Sequence, residues 1–178
     1  MINANNYKLY LAQNNLISEN CIVGTFRKKD DPGFNCEIIM NTNEVQKAGF
    51  SECSTTMFPD KAVIYVTVPM MVALRENDDI ALFNLYRELG HIECGHFDVP
   101  EEFSEMTEEE QANLMMKQEF EADSFASEFL GKEKAISVLK QLLKLRAQVD
   151  RELNLNGTPS SIKQMRNYRA RISALSEE

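Results

Sequence analysis

Four side chains in two short segments carry the chemistry this sequence offers. Glu88 and His91 lie in YRELGHIECGH, Tyr86 to His96, and Glu119 and Asp123 lie in EFEADSFA, Glu119 to Ala126. Glu88 is a carboxylate able to take a proton from water, and His91 is an imidazole able to bind a metal ion or hold a proton. Glu119 and Asp123 stand at i and i+4, which puts both carboxylates on one face of a helix. Alone, His91 fits equally a packed histidine beside an apolar stripe, and the carboxylate pair fits an ordinary acidic helix. The two segments together are more informative.

In the HExxH pattern, two histidines four apart on one helix face bind zinc, and the glutamate beside the first polarises the zinc-bound water as general base. Glu88 and His91 hold the second and fifth positions of that pattern, and Arg87 holds the first. A guanidinium keeps its proton at ordinary pH and has no lone pair to offer, so Arg87 is not a zinc ligand. A catalytic zinc takes three protein ligands plus water. Two residues are candidates for the missing ligand: His96, five residues past His91 at or beyond the helix end, and Cys94, three residues past it on a nearby face. Cys94 suits equally the role of a small buried hydrophobe. A third possibility is that Arg87 replaces the metal, pairing with Glu119 and offsetting the charge that Glu88, Glu119 and Asp123 would otherwise accumulate.

Taken together, LGHIECGH followed by EFEADSFA resembles the gluzincin zinc metallopeptidases, in particular the HtpX-like and CAAX-prenyl-protease family with its soluble minigluzincin relatives, which carry HELGH on one helix and ExxAD on the next. It is also similar to the ImmA/IrrE-like metallopeptidases, with HELGHxxxGH followed by an Ala-Asn/Asp and Phe-Ala helix. The resemblance spans about Val63 to Leu175, including the closing stretch TPSSIKQMRNYRARISAL with its Arg-Ile-x-x-Leu end but without that family's His-Pro. It implies a zincin-like fold, Glu88 as general base, His91 and Glu119 as zinc ligands and Asp123 orienting a ligand from behind. It also implies an extended polypeptide lying as an added strand on a sheet edge around Ile64 to Val68. With Arg87 in a ligand position, the zinc expected from the family is weak or absent. The expectation is therefore a metallopeptidase-family protein with a degraded zinc site that binds or cleaves extended polypeptide. Its alternatives are an active zinc endopeptidase using His96 or Cys94, and a non-catalytic interaction module.

The elements that must position these residues follow from pattern. Cys21 to Phe26 and Glu37 to Asn41 are β-leaning runs joined by the turn KKDDPG and predict a hairpin. AVIYVTV, Ala62 to Val68, reads as a strand closed by Pro69. From Asp78 the apolar period becomes helical, with Asn77 and Asp78 as caps and Gly95 as the stop, and Glu88 and His91 share a stripe beside the apolar one. Thr107 and Glu110 form a capping box for a second helix ending before Gly131. Two basic amphipathic helices follow, about Lys132 to Leu153 and Ser160 to Leu175. Met70, Met71, Met115 and Met116 fit core filler or an adaptable groove. The fold expected is α+β: one domain over residues 1–178, with a small N-terminal β-sheet that has an edge strand, and several helices.

Composition sets the outer limits. The chain has 178 residues, 43% hydrophobic and 26% charged, enough to bury a core of its own without disulfide or metal. Its net charge of -9 argues against a nucleic-acid partner, whose phosphates demand a basic footprint. The charge is uneven: twelve acids and one base between Glu93 and Glu128, then ten bases and three acids from Lys132 to Arg171. The longest nearly apolar run, Ala62 to Leu74, is too short to span a bilayer as a helix. The opening MINANNYKLYLAQNN has neither the basic nor the apolar region of a secretory signal, and no cysteine pair has CxxC spacing, so a cytoplasmic location with reduced thiols is expected.

Overall fold

A computed structural model describes residues 6–13, 20–47, 52–98 and 100–177. The order along them is β1 (Tyr7–Leu11), β2 (Cys21–Lys28), β3 (Cys36–Met40), α1 (Thr42–Lys47), β4 (Cys53–Met57), β5 (Ala62–Val66), α2 (Val68–Arg75), α3 (Asp79–Glu93), α4 (Glu108–Leu130), α5 (Lys132–Glu152) and α6 (Pro159–Glu177). This is an α+β fold, a five-stranded mixed sheet followed by a helical half. None of the described helices is long and apolar enough to cross a membrane.

The sheet runs β1-β2-β3-β5-β4. β2 and β3 form the antiparallel hairpin that the KKDDPG turn predicts, and β3 then pairs in parallel with β5, Ile38 opposite Ile64. β4 returns antiparallel to β5, with Thr55 opposite Ile64. β5 is therefore an interior strand, and the edge expected at Ile64 to Val68 is supplied instead by β4. The reason is visible in composition: AVIYV is apolar at nearly every position, as a strand bonded on both sides and covered on both faces must be. CSTTM of β4 is small and polar and tolerates the rim.

Pro69 closes the strand and also opens α2, where its missing N–H costs nothing, while Thr67 caps the helix by accepting from the Met70 amide. Asp78 caps α3, accepting from the amides of Ile80 and Ala81. The Thr107–Glu110 capping box opens α4, and Gly131, at φ 89°, separates it from α5.

Two apolar clusters hold the layers together. The larger joins sheet residues Phe26, Ile38, Ile64 and Val66 to Met71, Leu74, Leu85 and Leu89 of α2 and α3. The smaller joins Phe83 and Ala126 to Ala135, Val138, Leu139 and Leu175 of α5 and α6. α3 and α4 pack closely at Gly90, where an added Cβ would stand 3.1 Å from both Cα and O of Ala122 and from Cβ of Phe125. A mid-helix glycine is intrinsically unfavourable by about 1 kcal/mol against alanine. Here it permits the approach that brings the chemistry of the two helices together.

Candidate functional site

α3 is anchored by Phe83, Leu85 and Leu89, all fully buried, which leaves Arg87, Glu88 and His91 turned toward α4 and the sheet edge. α4 is anchored by Ala122, Phe125 and Ala126, and presents Glu119 and Asp123 from one face. The structure brings Arg87, Glu88, His91, Glu119 and Asp123 into one cluster between these helices.

Arg87 is at its centre. Its Nε donates to Glu119 Oε2 at 3.2 Å, its Nη2 donates to the same oxygen, and its Nη1 donates to Glu88 Oε1 at 3.1 Å. Nε also lies 3.7 Å from Asp123 Oδ1. Burial opposes the Arg87 charge, and the three surrounding carboxylates more than restore it. Glu88, only 7% exposed, accepts a second hydrogen bond at Oε2 from Thr55 Oγ1 of β4, 2.7 Å away. Burial pushes its carboxyl above the ordinary range, against the pull of Arg87 and Thr55.

Asp123 has no exposed surface and is held from α6: Arg171 donates from Nε to Oδ2 at 2.6 Å and from Nη2 to Oδ1 at 2.7 Å, a two-pronged guanidinium–carboxylate pair. Arg171 Nη1 lies 3.5 Å from Glu119 Oε2. Glu119 therefore stands between two guanidiniums. Burial raises its carboxyl pKa, but the two cations outweigh that and hold it at about 2.

His91 presents Nε2 to Glu119 Oε1 across 3.7 Å and joins Nδ1 to Nδ1 of His96 at 2.8 Å. Gly95, at φ 68°, turns the chain back so that the His96 ring reaches His91 and places its own Nε2 2.9 Å from Glu121 Oε2. A carboxylate can only accept, so His96 donates from Nε2, and a single proton lies between the two Nδ1 atoms. Burial and the nearby Arg87 cation lower the His91 pKa to about 3, so the ring is neutral at ordinary pH.

Of the two candidate replacement ligands, His96 touches His91 but uses one nitrogen on His91 and the other on Glu121. Cys94 caps the end of α3 and lines a separate shallow pocket of ≈ 400 Å³ with Phe120, Glu121 and Phe125, where burial raises its thiol pKa. Two atoms able to bind a metal, His91 Nε2 and Glu119 Oε1, face one another, and the side chain beside them is the Arg87 guanidinium, a cation without a lone pair. The donor set as arranged does not fit a three-ligand zinc ion. Among the described residues no three His, Cys, Asp or Glu side chains are grouped to hold a metal.

Two members of the cluster carry no signal in the two motif segments. Thr55 comes from a short polar strand with no pattern to mark it. Arg171 opens the Arg-Ile-x-x-Leu end of the closing stretch, and it lies three residues after Tyr168 and four before Leu175, so a cation sits inside the apolar stripe of α6 and needs a buried partner. No family model, curated protein or solved structure matches this chain.

Proposed function

We propose that this protein binds extended polypeptide on a gluzincin-like scaffold whose zinc site has been converted to an ion-pair cluster, with Arg87 at the first ligand position. The reading rests on the resemblance of the two helical segments, and one contact supports it above others: Thr55 of the edge strand β4 donates to Glu88. A polypeptide pairing with the side of β4 that meets no strand among the described residues would run past Thr55 and over the Arg87 cluster. Main-chain hydrogen bonds to β4 supply affinity in such an arrangement. Arg87, its charge already met by Glu119 and Glu88, holds the carboxylates in place without activating water.

Zinc content and strand protection test this reading together. Protein purified without chelator should carry far less than one zinc per chain by elemental analysis. Arg87→His, which recreates two imidazoles at i and i+4, should raise zinc affinity strongly. Added unfolded casein peptides should slow amide hydrogen exchange within Cys53–Met57 and remain uncut. Stoichiometric tight zinc with cleavage would revive the peptidase with a substitute ligand, and the absence of any protection in β4 would remove the polypeptide site.

A further inference from the structure

The apolar cluster that seats α5 and α6 on the body ends at Leu142 on α5 and resumes at Tyr168 on α6. Between them the helical hairpin is pinned by polar groups of its own: Ser161 Oγ donates to Asp150 Oδ2 at 2.6 Å, Arg146 Nη2 pairs with Asp150 Oδ1 at 2.9 Å, and the Leu155 amide donates to the Asp150 carbonyl at 2.7 Å. This end of the hairpin keeps large apolar side chains in water. Leu145, Val149 and Leu153, at i, i+4 and i+8, are 50%, 37% and 55% exposed, and Ile162 of α6 is 45% exposed. A helical stripe of this kind on a folded chain marks a docking face.

Charge decides the occupant. Lys144, Lys163 and Arg166 are exposed at this end of the hairpin and form no ion pair among the described residues. Two hairpin ends packed against one another would bring these cations together, so an end-to-end pairing is disfavoured and an acidic surface is selected. The chain carries one. Glu101, Glu102 and Glu105, in a 3-10 turn just before α4, and Glu108 and Glu109, in its first turn, are exposed and likewise form no ion pair among the described residues. One face of that helix runs from Glu108 through Ala112 to Met115, which at 59% is the most exposed of the large apolar residues and is adaptable in shape.

We propose that the basic, apolar-striped end of the α5–α6 hairpin docks on the acidic start of α4 in a second copy of this chain. A two-fold pair makes the contact twice and closes, because each copy contributes one surface of each kind. The inference uses neither the Arg87 cluster nor β4 and stands apart from the polypeptide reading.

Sedimentation velocity of the full chain at micromolar concentrations tests it. A dimer is expected in about 0.05 M salt and a monomer in about 1 M, where the Debye length falls to ~3 Å. The double variants Lys144→Glu/Lys163→Glu and Glu105→Lys/Glu109→Lys should each be monomeric in low salt while keeping the helical circular dichroism of the parent. Mixing them should restore a one-to-one heterodimer, because both reversed surfaces are then complementary. A chain that stays monomeric up to about 0.1 mM in low salt overturns the proposal, as does association indifferent to salt and to both variants. Monomer that instead co-sediments with phosphatidylserine vesicles assigns the hairpin end to an anionic membrane surface and also overturns it.

Discussion

Arg87 donates to a single oxygen of Glu119, Oε2, from both Nε and Nη2, and leaves Oε1 facing His91 Nε2 3.7 Å away. The guanidinium thus draws the acidic side chains of α3 and α4 together. It gathers Glu88 and Glu119 and neutralises charge, but it offers no open coordination position and no acidic water.

The first expectation concerns that pair. Arg87 is largely buried, so Arg87→Ala leaves Glu119 and Glu88 short of a partner and should destabilise the fold by roughly 3–5 kcal/mol, the scale for orphaning a buried charge. Adding Glu119→Gln should recover part of that loss. A double-mutant cycle by urea unfolding should give a coupling of about 1–3 kcal/mol. Additivity within error would mean that Arg171 alone balances Glu119.

Acid should weaken the protein in two overlapping stages. The His91 pKa is lowered from 6.5 to about 3, so the unfolded chain takes up that proton first, and the associated stability, complete above pH 6.5, declines as pH falls toward 3. The Glu119 pKa is lowered from 4.5 to about 2, so its stability is complete above 4.5 and declines as pH falls toward 2. His91→Gln should therefore flatten unfolding free energy between pH 6.5 and 4.5 while leaving the steeper loss below 4.5. An unchanged slope in the upper interval would place the buried neutral imidazole elsewhere.

Much of this arrangement was legible in the chain, and the parts that were not have physical reasons. α3, α4, α5 and α6 announce themselves through apolar period and through end signals that the structure uses, Asp78, the Thr107–Glu110 box and Gly131. β2, β3 and β5 are rich in β-branched and apolar residues. β1 and α1 are short, and α2 continues the apolar run of β5 without a change in composition, so periodicity had nothing to act on. At the site, i and i+4 spacing fixes which residues share a helix face and brought Glu88, His91, Glu119 and Asp123 to one place. It does not say which distant element closes over them. Thr55 reaches Glu88 across 33 residues and Arg171 reaches Asp123 across 48, and such pairings are settled by tertiary packing.

The close approach of α3 and α4 makes its own prediction at Gly90. Replacing a mid-helix glycine with alanine ordinarily stabilises by up to about 1 kcal/mol. At Gly90 the new methyl would meet Ala122 Cα and O at 3.1 Å, which are backbone atoms of α4 and cannot rotate away. Gly90→Ala should therefore destabilise by roughly 1–2 kcal/mol net, overpacking outweighing propensity. It should also loosen the Arg87–Glu119 contact, so that a subsequent Arg87→Ala costs less in this background than in the parent. A stabilising Gly90→Ala would show that α4 yields without strain.

Arg171 provides the last test, because it separates the support of the cluster from the cluster itself. Asp123 is fully buried and receives both Arg171 bonds at 2.6 and 2.7 Å, whereas Arg87 Nε is 3.7 Å from it. Arg171→Met should cost roughly 3–5 kcal/mol, since the remaining cation cannot serve Asp123 and Glu119 equally well. Arg171→Lys keeps the charge and loses the two-pronged geometry, so an intermediate loss of about 1–3 kcal/mol is expected. With Arg171 removed, the Asp123 carboxylate should also draw Arg87 toward it and away from Glu119. That movement can be followed in folded Arg171→Met protein as a shift of the Arg87 side-chain Nε–H resonance, which a purely local packing defect in α6 would leave in place. An unshifted resonance together with a loss below 1 kcal/mol would show that α6 only covers Asp123 and plays no part in the charge balance of the site.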